Sequence, residues 1–502
     1  MDLSKKTARN SLYSLAAFTV PIILSFFVTP FVVKHLGTED YGMYALVLSF
    51  IGFFAIADLG VSPALVKYTA EYNARKEYLT LSRIFSSVIF FYLFIGTLAG
   101  IGIALFGWLV APNLIKVSPG AAGKLQLVFY VAAFGFLCNM VLGAFAAIPG
   151  SLQRFDISSK INFIAAGLTA FLTVSLMYLN GGVVSLVILS VFTSIFFAIV
   201  YSQVNKRLIP QLRFIPKFDK SSFKMIFSFG GYAVVGMLAG TLLFEFDKIF
   251  IGATLGAAAV TFYVLPSSLA IKIYASMAAL TNVVFPLSSE LIAKGDVEKL
   301  QNLYYRAMRI IISLIILFTV PMYILSHNFL LSWVGPEFAE KSTLVFQLLI
   351  ATYSILATST IASFIALGAG KPKPTAVYAV VMGILNISLL LLLLPIFGLN
   401  GAAWAYLISV VPTLFFIAYV EVKILKINSL PFYLPLLGRL AIVIAVSLIA
   451  AMLLNTFNSS LVTFLFVYLG TVTIGVGAYL LLGIPDAKDL EMARAVMRKV
   501  RR

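Results

Sequence analysis

Residues 225–256, MIFSFGGYAVVGMLAGTLLFEFDKIFIGATLG, form a long apolar run broken by one cluster of ionisable side chains, Glu245, Asp247 and Lys248. About 20 apolar residues are what an α-helix needs to cross the hydrocarbon of a bilayer. Each charge near the centre of such a helix costs roughly 2.5–3.5 kcal/mol, and less toward its ends. The run reads as a membrane-spanning helix, and the three charges as a feature that needs a reason.

The rest of the chain is built in the same way. Of its 502 residues 61% are hydrophobic and 11% charged, with a mean hydropathy of +1.03, whereas about a quarter of an ordinary soluble domain is charged. These values predict an all-α polytopic membrane protein. A single cysteine, Cys138, excludes an internal disulfide. Two histidines far apart, His35 and His327, leave little for a His/Cys metal cluster, so neither a catalytic nor a metal site is expected. The first apolar run, 11–33, follows Lys5, Lys6 and Arg9 but is too long for a signal peptide and lacks a small-residue cleavage site.

Cutting at charged or Gly/Pro/Asn clusters gives about fourteen spans: 11–33, 41–65, 86–111, 124–147, 160–179, 183–204, 225–254, 258–288, 307–330, 343–368, 375–395, 400–421, 435–455 and 461–483. With a cytoplasmic N-terminus, 30 of the 36 basic residues fall on the inner side, and only Lys34, Lys116, Lys124 and Lys341 on the outer. That is the bias that cytoplasmic loops carry, and an even number of spans puts both termini inside. Topology thus accounts for the net charge of +17, and no nucleic-acid partner is needed. Two lysines, Lys248 and Lys272, are left within spans. Beyond Pro485, Leu490, Ala493, Met497 and Val500 form a stripe beside several arginines, the pattern of an amphipathic helix on an anionic membrane surface.

The chain also repeats itself. At an offset of 219 residues Leu36-Gly37 falls on Leu255-Gly256, Tyr44 on Tyr263 and Ala70-Glu71 on Ser289-Glu290; at 220, Gly150 falls on Gly370 and Leu179-Asn180-Gly181 on Leu399-Asn400-Gly401. Two parallel six-helix repeats follow, an arrangement in which transporters place the substrate between the halves. The expected organisation is an N-terminal lobe (1–204), a basic cytoplasmic linker (205–224), a C-terminal lobe (225–424), an additional helix pair (425–484) and a basic amphipathic tail (485–502).

Three stretches resemble one family. ARNSLYSLAAFTVPIILSFFVTPFVVKHLGTEDYGMYALVLSFIGFFAIADLG (8–60), FDKIFIGATLGAAAVTFYVLPSSLA (246–270) and the region from WVGPEF through FGLNGAAWAYLIS are similar to the polysaccharide transporters. These are the Wzx-like O-antigen flippases of the multidrug/oligosaccharidyl-lipid/polysaccharide exporter superfamily. The resemblance covers most of the chain, with no catalytic motif. It implies two six-helix lobes around a central cavity, alternating access, and transfer of a polyprenyl-diphosphate-linked oligosaccharide across a prokaryotic cytoplasmic membrane. Its implied partners are that lipid-linked cargo, membrane lipids and the polymerase or ligase machinery of glycan assembly.

Against this expectation the intramembrane charges become candidates for the substrate or ion pathway: Lys272, Asp58, Glu245, Asp247 and Lys248. Glu245 and Lys248 stand about 60° apart on a helix and can pair, while Asp247, about 160° from Glu245, must face elsewhere. Lys272 falls near the middle of its span. A lysine attracts phosphate as a point charge without a fork geometry, and the carboxylates could take a coupling Na⁺ or H⁺; no other cofactor is called for. The structural alternative is a Glu245–Lys248 pair at the interface and an Asp58 that braces a helix. Two other functions compete: an ion-coupled multidrug exporter of the same superfamily, and a membrane glycosyltransferase or ligase. The latter needs positioned acids or bases on a sizeable outer loop, and the longest here, 326–341, offers only His327, Glu337 and Glu340. No GxxxxGK[ST] phosphate loop is present, which argues against ATP-driven transport by this chain alone.

Overall fold

The computed structural model describes residues 3–454 and 460–486, with the backbone alone at 3–18, 55, 229–239, 242 and 243. The tail expected over 485–502 lies outside the described residues from 487 onward, as do the side chains of Lys5, Lys6 and Arg9. Contacts divide the chain into two compact units, Met1–Thr261 and Phe262–Arg502.

In order, the helices of the first unit are α1 (Leu3–Phe54), α2 (Val61–Ala74), α3 (Tyr78–Leu105), α4 (Ala111–Leu114), α5 (Ala122–Ser151), α6 (Phe155–Tyr178), α7 (Val183–Leu208) and α8 (Lys220–Leu255). Helix α9 (Ala257–Thr281) begins in this unit and leads into the second. There follow α10 (Val284–Ala293), α11 (Val297–Ile324), α12 (Ser326–Trp333), α13 (Pro336–Gly368), α14 (Pro372–Ser409), α15 (Pro412–Tyr419), α16 (Leu430–Leu454) and α17 (Leu461–Leu481). No strand occurs among the described residues. In hydrocarbon every backbone N–H and C=O must be paired within its own segment or within a closed barrel, so apolar runs of this length fold as helices even where β-branched residues are common.

Eleven helices among the described residues are long and apolar enough to cross a membrane. Two of them are bent pairs. The run Thr19–Asp58 breaks at Gly37 (φ 79°, ψ 168°), and Pro372–Leu425 breaks at Gly398 (φ 58°, ψ −142°). Those are the points at which the sequence separates span 11–33 from 41–65 and span 375–395 from 400–421. Pro21 and Pro30 lie within α1 without ending it. Helix α8 occupies the seventh expected span.

Local signals set the ends. Asp219 caps α8 by accepting from the Ser222 amide at 2.9 Å, Asp296 caps α11, and Ser460 forms a capping box with Thr463 at α17. Pro336, Pro372 and Pro412 open α13, α14 and α15, where a missing N–H costs nothing.

Lipid tails are as apolar as leucine, so packing and not burial from water joins the helices. Small residues allow the approach. A Cβ at Gly100 would lie 3.0 Å from the Ala133 carbonyl oxygen, and one at Gly107 2.4 Å from Phe129 Cβ, which brings α3 and its π-helical continuation against α5. A Cβ at Gly252 would meet Leu46 at 2.6 Å, so α8 lies against α1. Helix α8 also packs on α2 and α3, inside the first unit. Asparagines join helical segments: Asn139 on α5 accepts from Ser194 on α7 at 3.1 Å, Asn162 on α6 accepts from Tyr201 on α7 at 3.1 Å, and Asn386 donates to Ser409 at 3.5 Å between the two halves of the bent α14.

The second unit has one core around Tyr304, Met308, Ile361 and Phe416. A further cluster, with Leu317, Leu436, Leu440 and Val443, fastens α16 to α11. Trp333, which the sequence suggests for the outer interface, is 3% exposed. It is buried because α12 folds back on α13 and α17, and it stacks on Phe329, one turn earlier in the same helix, at 5.3 Å.

The offset of 219 residues is visible in the backbone. Gly37 and Gly256 share ψ 168° with φ of 79° and 96°. The turn after α2 (Arg75, Lys76, Glu77) and the turn after α10 (Lys294, Gly295, Asp296) form the same three backbone hydrogen bonds. Within each helix end a glutamate pairs with the basic residue four positions on, Glu71 with Arg75 and Glu290 with Lys294. Farther along, the register shifts. The turn after α5 and the turn after α13 again share three hydrogen bonds, but these match Gln153 (φ 55°) and not Gly150 with Gly370 (φ 70°). A left-handed residue need not be glycine, so matching glycine to glycine misplaces this turn by three residues.

Candidate functional site

In α8 the expected pair forms. Lys248 Nζ donates to Glu245 Oε2 at 2.7 Å, with the two side chains 17% and 24% exposed. Gly52 on α1 makes room for it, since a Cβ there would lie 3.2 Å from Glu245 Cδ. Asp247, about 160° around the helix from Glu245, is 3% exposed, with Oδ1 accepting from the Lys248 amide at 2.8 Å. The cluster is thus divided as helical spacing requires: a neutralised couple on one face and a buried carboxylate on another.

Asp58 ends the 3-10 turn Ala55–Asp58 that follows α1. Leu59 (φ 49°) and Gly60 (φ 76°) then reverse the chain into α2. Its carboxylate accepts from the Tyr92 hydroxyl at 2.5 Å, the Ser62 hydroxyl at 2.8 Å and the Ser62 amide at 3.2 Å. A carboxylate at the start of a helix, holding two neighbouring hydroxyls, is the bracing arrangement named as the structural alternative. Its turn packs on α8, the helix that carries Glu245.

Lys272 stands on α9, half-buried, with no ion pair or hydrogen bond among the described residues. Ser268 and Ser276, one turn before and one turn after, extend a polar stripe along its face. The neighbouring face, with Tyr274 and Met277, packs into the core of the second unit. Of the five candidates, then, Glu245 and Lys248 are brought together, Asp58 is held by a tyrosine and a serine, Asp247 is buried, and Lys272 alone has neither an ion pair nor a hydrogen bond among the described residues.

One buried carboxylate escaped the sequence reading. Glu421, 7% exposed, lies in the π-helical segment Val420–Leu425 that continues α15. It accepts from Tyr304 on α11 at 2.5 Å and from Tyr433 on α16 at 2.6 Å. It thereby fastens the additional helix pair to the rest of the second unit. Its one signal in the sequence was an acid at the edge of span 400–421, which is indistinguishable from an interfacial charge until its tyrosines are known. No group of three or more His, Cys, Asp or Glu residues suited to a metal exists among the described residues.

Residues 31–341 match the family described as polysaccharide biosynthesis protein. The chain is 22% identical over 408 residues to a Shigella flexneri protein named "Putative O-antigen transporter", covering 80% of this chain and 94% of that one. Among solved structures it is similar to the lipid II flippase MurJ in an inward closed conformation, with a TM-score of 0.71 at 16% identity, covering 94% of this chain and 98% of that one. It is also similar to an inward-facing multidrug resistance MATE family transporter of the MOP superfamily, with a TM-score of 0.64 at 14% identity, covering 82% of this chain and 98% of that one. At these identities the two structures establish a shared polytopic helical fold.

Proposed function

This chain belongs to the polysaccharide biosynthesis protein family, and from that premise we propose that it is a flippase for a lipid-linked glycan. The cargo in this reading is a polyprenyl-diphosphate-linked oligosaccharide, moved by alternating access across the cytoplasmic membrane of a prokaryote for cell-surface glycan assembly. Both termini are cytoplasmic, as the placement of lysine and arginine favours. The O-antigen transporter and the lipid II flippase among the similar proteins support a lipid-linked cargo.

The observation that carries the reading is Lys272. A cation in a span with no partner among the described residues is expensive. An incoming diphosphate would supply the missing counter-charge, and a single lysine would hold it weakly enough to let it go. Glu245 is the proposed coupling group, because uptake of H⁺ or Na⁺ by its carboxylate would release Lys248. Asp58 and Asp247 are the further acidic candidates on the route.

The test is transfer of a fluorescent polyprenyl-diphosphate oligosaccharide between the leaflets of liposomes that contain the purified protein. Wild type should accelerate transfer and Lys272→Gln should lose most of it; a wild-type protein that leaves the lipid where it was would sink the reading. The shared fold with a multidrug transporter favours one second reading, a multidrug exporter. Efflux of cationic dyes without glycan transfer would establish it instead.

A further inference from the structure

Within the second unit a groove of about 770 Å³ opens between the first turns of α14 and α15. Each helix offers one face at the spacing i, i+1, i+4: Val377, Tyr378 and Val381 from α14, and Phe415, Phe416 and Tyr419 from α15. Tyr378 stacks on Phe416 at 4.4 Å with the rings 7° from parallel, and its hydroxyl lies 3.0 Å from that of Ser359. The floor is therefore fixed. The walls are open, with Val377 53% and Phe415 73% exposed. At one end stand Lys371 and Lys373, both exposed, and no carboxylate is among the lining residues.

The internal repeat supplies an independent comparison. The turns before α6 and before α14 form the same three backbone hydrogen bonds, which puts Arg154 opposite Lys371 and Asp156 opposite Lys373. In the first copy the arginine is clasped by the aspartate through two bonds of 2.9 and 3.0 Å. In the second copy a lysine takes the place of the aspartate, and neither lysine has an ion pair among the described residues. The same turn is neutral in one copy and doubly cationic in the other, and the cationic one sits at the mouth of an apolar groove.

We propose that this groove binds an anionic phospholipid, its phosphate at Lys371 and Lys373 and an acyl chain along Val377, Val381 and Phe415. Two separated chemistries are met by one molecule. A soluble anion would use the lysines and leave the apolar walls in place, while a neutral lipid would use the walls and leave two cations unbalanced. Lysines at the end of a membrane helix attract acidic headgroups, and the groove adds a seat that a diffuse surface charge lacks. The site is independent of whether the cargo is a glycan lipid.

The experiment is native mass spectrometry of the full chain released from nanodiscs of phosphatidylglycerol and phosphatidylcholine, which reads the retention of each lipid. Wild type should retain phosphatidylglycerol over phosphatidylcholine by roughly thirtyfold, the scale of two juxtamembrane lysines. Lys371→Gln with Lys373→Gln should remove that preference. Val377→Trp, which fills the groove and leaves both lysines, should reduce retention by a similar factor, and Arg154→Gln in the first copy should change nothing. Loss in the lysine variant without loss in Val377→Trp would show unspecific surface attraction and overturn the proposal. So would displacement of the lipid by millimolar inorganic phosphate, which would make the lysines a simple anion site, or equal retention by all variants.

Discussion

Gly37 and Gly256, 219 residues apart, hold the same backbone conformation, with ψ 168° at both and φ of 79° and 96°. Side-chain-bearing residues scarcely enter this region, so each glycine fixes an abrupt change of direction between two helical segments. Their surroundings differ. A Cβ at Gly37 meets nothing within 4 Å, whereas one at Gly256 comes within 2.9 Å of the Lys116 carbonyl oxygen. Gly37→Ala should therefore lower stability by roughly 1–3 kcal/mol through backbone strain alone. Gly256→Ala should cost more, because the contact that also joins Ala257 N to Lys116 O must yield. Thermal unfolding of the two variants in the same detergent gives the order, and a reversed order would refute the steric account.

Replacing Lys272 separates charge from bulk. Lys272→Gln should reduce glycan-lipid transfer at least tenfold with normal expression and insertion, while Lys272→Arg should keep a substantial fraction of it. Equal transfer in wild type and Lys272→Gln would remove Lys272 from the proposed route.

The Glu245–Lys248 couple should behave as a unit. Loss of one partner leaves the other charge in a span, so Glu245→Gln and Lys248→Gln should each destabilise more than the double variant does. A double-mutant cycle on thermal stability reads the coupling. Transfer measured on the same proteins tells a brace from a coupling group, because only the latter changes its pH or Na⁺ dependence.

Glu421 serves two tyrosines from different helices. Glu421→Ala should cost roughly 1–3 kcal/mol, since both hydroxyls lose a charged acceptor. Tyr433→Phe should cost less and should add little to Glu421→Ala. Proteolysis between α15 and α16 should quicken in Glu421→Ala if the carboxylate fastens the additional helix pair as its bonds indicate.

At the start of α8, outside the spans, Asp219 is held at about 2 by the Ser221 hydroxyl and the Ser222 amide, below its ordinary 3.8. The folded state binds the proton less well than the unfolded one. The stabilisation is hence complete above about pH 4 and is lost as pH falls through about 2. Asp219→Ala should cost about 1 kcal/mol at neutral pH, the usual worth of a helix cap, and the part of the difference from wild type that depends on the charge should shrink as pH falls toward 2 and disappear below it.

The sequence declares what helical periodicity and glycine control. The spans, the breaks between 11–33 and 41–65 and between 375–395 and 400–421, and the pairing of Glu245 with Lys248 all follow from neighbours within one helix or from the charged and Gly/Pro/Asn clusters that interrupt apolar runs. What it hides depends on partners far along the chain. Asp58 finds Tyr92, Glu421 finds Tyr304 across 117 residues, and Trp333 turns inward because α12 folds back. The register slip at Gln153 was hidden for another reason, because a left-handed glutamine leaves no mark in composition.

The solitary charge on α9 has an electrical consequence. A neutral couple such as Glu245 with Lys248 carries no net charge when its helix moves, so the membrane voltage does no work on it. Lys272, with no counter-ion among the described residues, is different: an elementary charge crossing the whole field exchanges about 2.3 kcal/mol per 100 mV, and a partial displacement exchanges its share. A diphosphate seated beside it carries more negative charge than one lysine balances, so it would reverse the sign of that sensitivity. The empty and the loaded protein would then answer in opposite senses to the same potential, so that a voltage assisting the return of the empty carrier would oppose the same movement of the loaded one.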